Sequence, residues 1–426
     1  MTIPAGGYPS TSAQPVEFRL RWRTLEWWGC SLALFLNTGA LFPLLLMVSS
    51  GDLGDAERAK LRLLQLPVMA ITFVLLARNT GPFMILLRRS LPLVVLIGLA
   101  VLSTLWSIEP NITVRRVVGL IISGCLAGVL AIRFSPRQLL ILFAGVVGFT
   151  LWLSLAAAVV APGAAFMPGG EGFRGVYTHK NVLGWAACLG TILAIGLIVD
   201  GHSRLRRRGI RLLVISLTAL ILSGSGTGLI SAVVGLVLFG FYGALRRTQG
   251  LSRIILILVA LETIALLLLG AGFLLVPLLE ALGKDATLTG RIPLWVMVDE
   301  RISVKFWLGY GYQAFWTPGT YGAELIYSAL QWTPPHAHNG YRDIMLSFGA
   351  VGMVAFLAMI VRAIRQGAAL HCNDSKEDWI WMNVMVCVIL LMNLTESNLL
   401  AQNDIQWLLM MTAIAMFGLR SRPVVH

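Results

Sequence analysis

Long apolar runs recur along the whole chain, and each is close to the length that a helix needs to cross a bilayer. The hydrocarbon core of a bilayer requires about 20 predominantly apolar residues in helical form. Composition agrees, because 57% of the 426 residues are hydrophobic and 12% are charged, whereas soluble domains carry about 25% charged residues. The sequence therefore predicts an all-α, polytopic integral membrane protein and excludes a soluble enzyme.

About twelve of these runs qualify as membrane spans. In chain order they are Trp27 to Val48, Leu61 to Ala77, Leu91 to Trp106, Val117 to Ile132, Gln138 to Val160, Val182 to Val199, Leu212 to Gly224, Leu229 to Leu245, Ile254 to Leu279, Tyr341 to Val361, Trp379 to Leu394 and Ile405 to Leu419. They divide the chain into a cytoplasmic N-terminal segment (1–26), spans one to nine (27–279), a large loop on the outer face (280–340), spans ten to twelve (341–419) and a cytoplasmic tail (420–426).

The basic residues indicate how the spans are oriented. The chain carries 33 Lys and Arg against 20 Asp and Glu, a formal net charge of +13. Most of the cations fall in connections that share one side when the N-terminus is cytoplasmic, as the positive-inside rule requires. The excess charge thus reflects topology in a lipid bilayer and not a nucleic-acid partner. Both termini are predicted to be cytoplasmic, and the polar N-terminal stretch does not have the pattern of a cleavable signal peptide.

Two outer-face loops differ from the otherwise short connections. The segment from Glu280 to Gly340 has about sixty residues, and loops of such length in a compact fold are usually functional. The segment from Ala161 to Lys180 is shorter and rich in glycine and proline. We expect the chemistry where these two loops meet.

The shorter loop ends in three potential cations, Arg174, His179 and Lys180. They directly precede a helix N-terminus that Thr178 or Asn181 is expected to cap, so they predict a cradle for a diphosphate. Anchoring to lipid headgroups is the alternative. Positive charge on the outer side runs against the topological trend and therefore calls for a separate reason.

The most informative segment is Pro334-Pro335-His336-Ala337-His338-Asn339, directly before the tenth span. The prolines hold the approach extended, and Asn339 is a good N-cap. Histidines two apart on an extended segment point to opposite sides, so only one is expected at a common site. We choose His338, because the adjacent helix start favours a neutral imidazole that accepts a proton from a hydroxyl. The alternative is that both histidines bond only to loop backbone.

The large loop also carries Arg291 and Trp295, which share one face of a short predicted helix with Pro293 in its first turn. A guanidinium there suits a bidentate clamp on a phosphate. Pairing with Asp299, or snorkelling to headgroups, is the alternative. Aromatic side chains, which suit either stacking on sugars or an interfacial belt, follow at Trp307, Tyr310, Tyr312, Phe315, Trp316, Tyr321, Tyr327 and Trp332.

Glu262 lies in the middle of the ninth span, where an ionisable group is costly. Glu262 either belongs to a proton path in a transporter or is a protonated carboxyl buried among helices. We favour burial. The two halves of the chain do not mirror each other, which weakens the transporter interpretation.

Two outer-loop motifs together resemble the O-antigen ligase and polymerase superfamily of bacterial envelope glycosyltransferases. They are Gly175-Val-Tyr-Thr-His-Lys-Asn-Val-Leu-Gly184 and His336-Ala-His-Asn339, and the first is most similar to ExoQ-type exopolysaccharide polymerases. Supporting similarities are Gly290-Arg291 with Trp295, Trp307 to Gly311, and Thr395-Glu396-Ser397, so that the resemblance covers roughly Phe173 to Trp407.

The resemblance implies a GT-C-like enzyme at the periplasmic face of the bacterial inner membrane, with no cofactor. It implies a metal-independent, inverting transfer of a glycan from a polyprenyl-diphosphate-linked donor to a glycan acceptor. By position, Arg291 engages the diphosphate and His338 activates the acceptor hydroxyl, while chain-length regulators and export machinery are possible partners.

The chain departs from the family at one motif. Many members carry an arginine in a Ser-Arg motif after the seventh span, where this chain has Ser223-Gly-Ser-Gly-Thr-Gly228. Arg174 or Lys180 is left to supply that charge, with His179 and His336 as further substrate contacts.

Four functions follow in order of preference. The first is a polymerase of lipid-linked repeat units of an exported polysaccharide. The second is a ligase of the same chemistry that moves a finished glycan onto a lipid or protein. The third is a related glycosyltransferase with acidic catalysis from Asp52, Asp55 and Glu57. The fourth, of a different class, is a transporter or flippase of a lipid-linked sugar that relies on Glu262.

Overall fold

The computed structural model describes residues 14–40, 42, 55–167, 169, 172–263, 290–374 and 377–421. Their regular structure is helical, with one isolated β-bridge between Phe166 and Phe173. The helices longer than four residues are α1 (Gln14–Leu36), α2 (Asp55–Ala77), α3 (Thr80–Arg89), α4 (Leu91–Leu102), α5 (Pro110–Arg133), α6 (Pro136–Val160), α7 (Lys180–Val199), α8 (Ser203–Ser223), α9 (Gly226–Arg247), α10 (Arg291–Val304), α11 (Tyr321–Leu330), α12 (Gly340–Asn373), α13 (Ile380–Met392) and α14 (Ile405–Arg420). Residues 250–263 are also helical. The predicted all-α class is confirmed for this part of the chain.

Five of the described helices are long and apolar enough to cross a membrane, namely α5, α6, α7, α9 and α12. Residues 63–77 and 80–89 form a further candidate that is bent by 95°. The chain is thus a membrane protein, whereas the predicted number of about twelve spans is not confirmed. Several apolar runs form shorter helices, because a bend or loop interrupts them before they reach about 20 residues.

The first two predicted spans differ from the helices that form. Helix α1 starts at Gln14 and ends at Leu36, whereas the predicted span ran from Trp27 to Val48, and residues 43–48 lie outside the described part. The second run begins earlier, at Asp55, and bends sharply after Ala77. Hydropathy locates apolar residues but not the points at which a helix breaks. The observed helix boundaries therefore differ from those of the predicted spans.

Helices α7, α13 and α14 form the centre of the bundle. The apolar stretch of α7 is 72% buried, whereas that of α9 is 39% buried. Trp381 of α13 and Trp407 of α14 are almost completely enclosed. Because the other helices surround α13 and α14, these short helices do not need to reach both lipid surfaces, and the exposed apolar side chains of the outer helices face lipid.

Glu262 lies on the helix at 250–263 and is exposed. The expectation that this carboxyl is buried among helices is therefore wrong. Most side chains of that helix are exposed, so it is peripheral in the described structure. Asp52 lies outside the described residues, and Asp55 and Glu57 are in the first turn of α2.

The large loop has a folded core of its own. Within its described part, 290–340, helices α10 and α11 enclose a second apolar cluster that includes Leu294, Val298, Phe315 and Ile326. Leu346 of α12 belongs to the same cluster. The loop is therefore packed onto the start of α12, which holds its side chains in defined positions.

A break in α12 receives a turn segment of this loop. Gly349 has φ 62° and ψ −158°, so the helix is interrupted there. Residues 306–311 bond to the backbone groups that the break releases: Tyr310 N–H donates to Leu346 O (2.7 Å) and Ala350 N–H donates to Phe306 O (2.8 Å). Buried backbone groups require such partners, so the break and the loop stabilise each other.

Replacing Gly349 with alanine is expected to destabilise the fold by about 3 kcal/mol or more, since both strain and overlap contribute. Its backbone conformation is essentially restricted to glycine, and an added Cβ would lie 2.3 Å from the carbonyl carbon of Trp307. Thermal unfolding in detergent measures the change. Gly240→Ala, in open space on α9, is the control, and equal melting temperatures for the two variants would contradict the prediction.

Candidate active site

The start of α12 is held by a loop between α13 and α14. Asn339 is the N-cap, as predicted, and its side-chain oxygen accepts from the N–H groups of Tyr341 (3.1 Å) and Arg342 (3.0 Å). Its N–H donates to Ser397 Oγ (2.9 Å). Gly340 N–H donates to the carbonyls of Asn393 and Glu396. The His-Ala-His segment is consequently fixed against residues 393–397.

Glu396 connects the two residues that the sequence placed at the reaction centre. Its carboxylate is 1% exposed. Arg291 donates from Nη2 to Glu396 Oε1 (3.0 Å) and from Nη1 to the carbonyl of Thr395 (2.6 Å). His338 Nδ1 is 3.9 Å from Glu396 Oε2. The structure therefore brings Arg291 and His338 together on one buried carboxylate.

His338 is held in a conformation that the sequence did not predict. Its φ is 50°, in the left-handed region, and its ring centroid is 4.3 Å from that of His336. The expectation that the two rings point to opposite sides is wrong, because that argument assumed an extended segment. Non-glycine residues in this region are strained and are found preferentially at functional sites, where surrounding contacts hold them.

The two histidines have different hydrogen-bonding roles. His336 Nδ1 accepts from the N–H of His338 (3.2 Å), so the proton of its neutral ring is on Nε2. Burial, together with the nearby His338 and Arg291, lowers the pKa of His336 to about 3. The neutral ring of His336 therefore presents Nε2–H as a hydrogen-bond donor. His338 directs Nδ1 towards the Glu396 carboxylate, which leaves Nε2 as the atom suited to accept a proton.

The lowered pKa of His336 predicts a loss of stability on acidification. Below about pH 6.5 the unfolded chain binds a proton at this histidine, whereas the folded chain does so only near pH 3. Acid therefore favours the unfolded state between these values. The melting temperature in detergent, measured from pH 7.5 to 5.5, should fall more steeply for the natural chain than for His336→Gln, and parallel curves would contradict the assignment.

Arg291 and Trp295 share one face of α10 as predicted, but Asp299 pairs elsewhere. Arg342 makes a bidentate contact with Asp299 (2.7 and 2.8 Å), and its guanidinium lies over the Trp295 ring. Trp295 Nε1 donates to Ala337 O (2.9 Å). The alternative in which Asp299 neutralises Arg291 is wrong, and α10 is fixed to the histidine segment through Trp295.

The aromatic side chains of the loop divide into two groups. Trp307 and Tyr321 are 69% and 78% exposed, as expected for an interfacial belt. Tyr312 and Phe315 are buried, while Trp316 is partly exposed and donates from Nε1 to Asp343 (2.9 Å). The buried group therefore belongs to the wall of the site.

The shorter loop places its three cations differently from one another. Arg174 is 8% exposed and donates from Nε to Ala164 O (3.1 Å). His179 caps α7 by accepting from Asn181 N–H at Nδ1 (3.1 Å). The N-cap of α7 is thus His179 and neither Thr178 nor Asn181, because the His179 imidazole accepts from the backbone N–H of Asn181.

Lys180 lies beside the segment that lacks the family arginine. A Cβ added to Gly172 would be 2.9 Å from Lys180 Cδ and 3.4 Å from Ser223 O. The same segment also contacts Thr395, whose carbonyl accepts from Arg291. The hydroxyls of Thr227 and Thr395 are 3.1 Å apart. Gly172 therefore lies between Lys180 and Ser223, and Thr227 and Thr395 connect the start of α9 to the residue that binds Arg291.

Sequence reasoning did not assign a role to Glu396, which it quoted only within a supporting motif. The sequence feature that could have identified Glu396 is its position as an acidic residue between two apolar runs, on the face expected to be outer. Among the described residues, no group of three or more His, Cys, Asp or Glu has an arrangement that would hold a metal ion.

Comparison with known proteins supports the resemblance. Residues 211–357 match the family model described as O-antigen ligase. The chain is 30% identical over 211 residues to the exopolysaccharide production protein ExoQ of Rhizobium meliloti, covering 46% of this chain and 47% of that protein. It is 30% identical over 79 residues to a putative polysaccharide ligase of Rickettsia felis, covering 18% and 19%.

The aligned region spans about half the length of the first relative and about a fifth of the second. The matched family region includes Arg291, His336 and His338 but ends before Glu396. The predicted resemblance is therefore confirmed: residues 211–357 of this membrane protein match the O-antigen ligase family, and the chain is similar to an ExoQ-type exopolysaccharide production protein.

Proposed function

We propose that this chain is a membrane glycosyltransferase that polymerises polyprenyl-diphosphate-linked repeat units at the periplasmic face of the inner membrane. One observation carries the proposal: the buried Glu396 carboxylate binds Arg291 and faces His338. A cation for a phosphate and a base for a hydroxyl are thereby held at adjacent positions, which is the arrangement that glycosyl transfer from a diphosphate requires.

Arg291 and Lys180 bind the diphosphate of the donor in this proposal. A guanidinium has five N–H donors, so its bonds to Glu396 and Thr395 orient it without exhausting its capacity. Lys180 is the first residue of α7, and the N-terminal end of a helix favours anions. Lys180 thus replaces the family arginine, whereas buried Arg174 and the capping His179 shape the loop.

The transfer itself balances with these groups alone. His338 Nε2 accepts the proton of the acceptor hydroxyl as its oxygen forms a bond to the anomeric carbon. The bond between that carbon and the phosphate oxygen breaks, and polyprenyl diphosphate departs with the electron pair. Attack opposite the leaving group inverts the anomeric centre, and the positive charge of Arg291 stabilises the developing negative charge.

Product analysis with the purified chain in lipid nanodiscs tests the proposal. The probe is an undecaprenyl-diphosphate oligosaccharide, and we expect a ladder of repeat units that remains on polyprenyl diphosphate. His338→Ala is the inactive control. Unchanged donor after prolonged incubation of an intact, correctly inserted protein would contradict the proposal.

Ligation is the second candidate, because one relative is named a putative polysaccharide ligase. In that case, glycan would move onto a lipid or protein acceptor without growth of the donor chain. Movement of donor across a proteoliposome membrane without a new glycosidic bond would instead indicate a flippase. Glu262, on which that alternative relied, is exposed.

A further inference from the structure

A cavity of about 250 Å³ with a mixed polar and apolar lining lies beside the histidine segment. It is enclosed by the start of α5, the loop at 312–316, the start of α12 and the loop at 397–402. Among its described lining residues are His336 and Ser397, but neither His338 nor any of Arg174, Lys180 and Arg291. The cavity is therefore next to the reaction centre and separate from the cations of the diphosphate site.

The lining combines flat rings with amide side chains. Tyr312, Phe315 and Trp316 provide the rings, and Gln313 and Gln402 provide the amides. A pyranose has apolar faces that pack on aromatic rings and hydroxyls that exchange hydrogen bonds with amides. This composition matches a sugar ring better than a lipid chain, which needs no polar groups.

The wall of the cavity is held in a strained conformation. Gln313 and Leu400 have φ values of 52° and 56°. Gln313 N–H donates to Ser347 Oγ (3.2 Å) and its amide Nε2 donates to Leu400 O (3.2 Å), while Arg116 donates to its carbonyl. Non-glycine residues keep such dihedrals only where their surroundings enforce them, and they cluster at ligand clamps. The cavity is thus preformed.

Its position indicates which substrate it receives. Thr395 contacts Arg291 and Thr227 on the cation side, whereas Ser397, two residues later, lines the cavity. In an inverting transfer, the attacking oxygen and the leaving group occupy opposite faces of the anomeric carbon. The histidines lie between this cavity and the cations proposed for the diphosphate. The cavity is therefore on the side from which the acceptor hydroxyl attacks.

We propose that this cavity is the subsite for the terminal pyranose ring of the acceptor glycan, with His336 Nε2–H and Gln313 as polar contacts. The assignment to the acceptor rests on the proposed function. A volume of about 250 Å³ is smaller than the roughly 300–1,000 Å³ of pockets for drug-sized ligands. It suits one ring and leaves the rest of the glycan outside.

Binding of free sugars tests the cavity independently of catalysis. The probes are methyl glycosides of glucose, galactose, mannose and glucuronic acid, observed by saturation-transfer NMR with the full chain in nanodiscs. We expect at least one of them to bind the natural chain. Ala401→Phe fills the cavity and should abolish binding, whereas Ala358→Phe, on the exposed side of α12, should not.

Gln313→Gly is a second variant in case Ala401→Phe does not insert, because glycine tolerates the positive φ without strain. It should weaken binding of the same glycoside. Failure of all four glycosides to bind the natural chain, or unchanged binding by both cavity variants, would overturn the proposal.

Kinetic measurements show whether the sugar ring that occupies the cavity belongs to the acceptor or to the donor. Ala401→Phe should raise the acceptor KM about tenfold or more, equivalent to about 1.4 kcal/mol, with the donor KM unchanged. A rise in the donor KM alone would overturn the assignment to the acceptor. Sugar binding without any transfer would contradict the proposed function while supporting the cavity as a sugar site.

Discussion

Replacing His338 with alanine is expected to lower the rate of glycosyl transfer by about 10²–10⁴-fold, the usual contribution of a positioned general base. The loss should be in kcat, because the proton moves only as the new bond forms. Donor binding should remain close to normal, since the cations that we propose bind the diphosphate are unchanged. Single-turnover assays in nanodiscs measure the rate, and polymer length in cells provides a second readout.

The matched control is His336→Gln, in which the amide oxygen accepts the His338 N–H in place of the imidazole Nδ1. At saturating acceptor it should keep most of the rate constant, because the proposed base is His338 and a lost His336 contact would act on acceptor binding. Arg291→Ala should also abolish polymer while the protein remains inserted. Normal chain lengths in both His338→Ala and Arg291→Ala would remove the catalytic assignment.

Replacing Glu396 has the second largest expected effect, and it acts on stability and rate together. Glu396→Ala leaves the Arg291 guanidinium, 15% exposed, without its ionic partner, and breaking a buried pair costs about 3–5 kcal/mol. Glu396→Gln keeps the shape of the side chain and removes the charge. We expect it to lower kcat on the order of 10²-fold, the cost of small misplacement of reacting groups.

A double-mutant cycle separates this positioning role from a structural one. In the His338→Ala background, Glu396→Gln should lower the rate by a smaller factor than in the natural chain, because the imidazole is absent and only the contact with Arg291 remains to be lost. Glu396→Asp should recover part of the activity. Glu300→Gln is the control, since its contact with Arg301 is on the surface and such pairs contribute little. Additive losses of His338→Ala and Glu396→Gln would contradict the coupling.

In the proposed mechanism, Glu396 acts through His338 and Arg291 and is a positioning residue. Nδ1 of His338 is buried and, within the described part of the chain, no hydrogen bond reaches it. The 3.9 Å separation from the carboxylate is longer than a hydrogen bond, and contacts of this kind often shorten when substrate binds. Substrate binding is therefore expected to complete the Glu396–His338 contact.

Several features of the site follow from local rules and were predictable. Asn339 caps α12 because its side chain reaches the first free N–H groups of that helix. Arg291 and Trp295 share a face because a helix repeats every 3.6 residues. Local rules were wrong where they assumed a regular backbone: the left-handed φ of His338 places its ring beside that of His336.

Composition and the order of residues were sufficient to identify a helical membrane protein and to single out the Arg and His of the large loop, because hydropathy, capping and helical periodicity act over a few residues. The partnership of Arg291 with Glu396, 105 positions apart, needed the assembled bundle. Such a contact depends on how α10, α12 and the loop after α13 pack against one another, and no local preference encodes that arrangement. The same holds for the cavity beside His336, whose walls come from segments far apart in the chain.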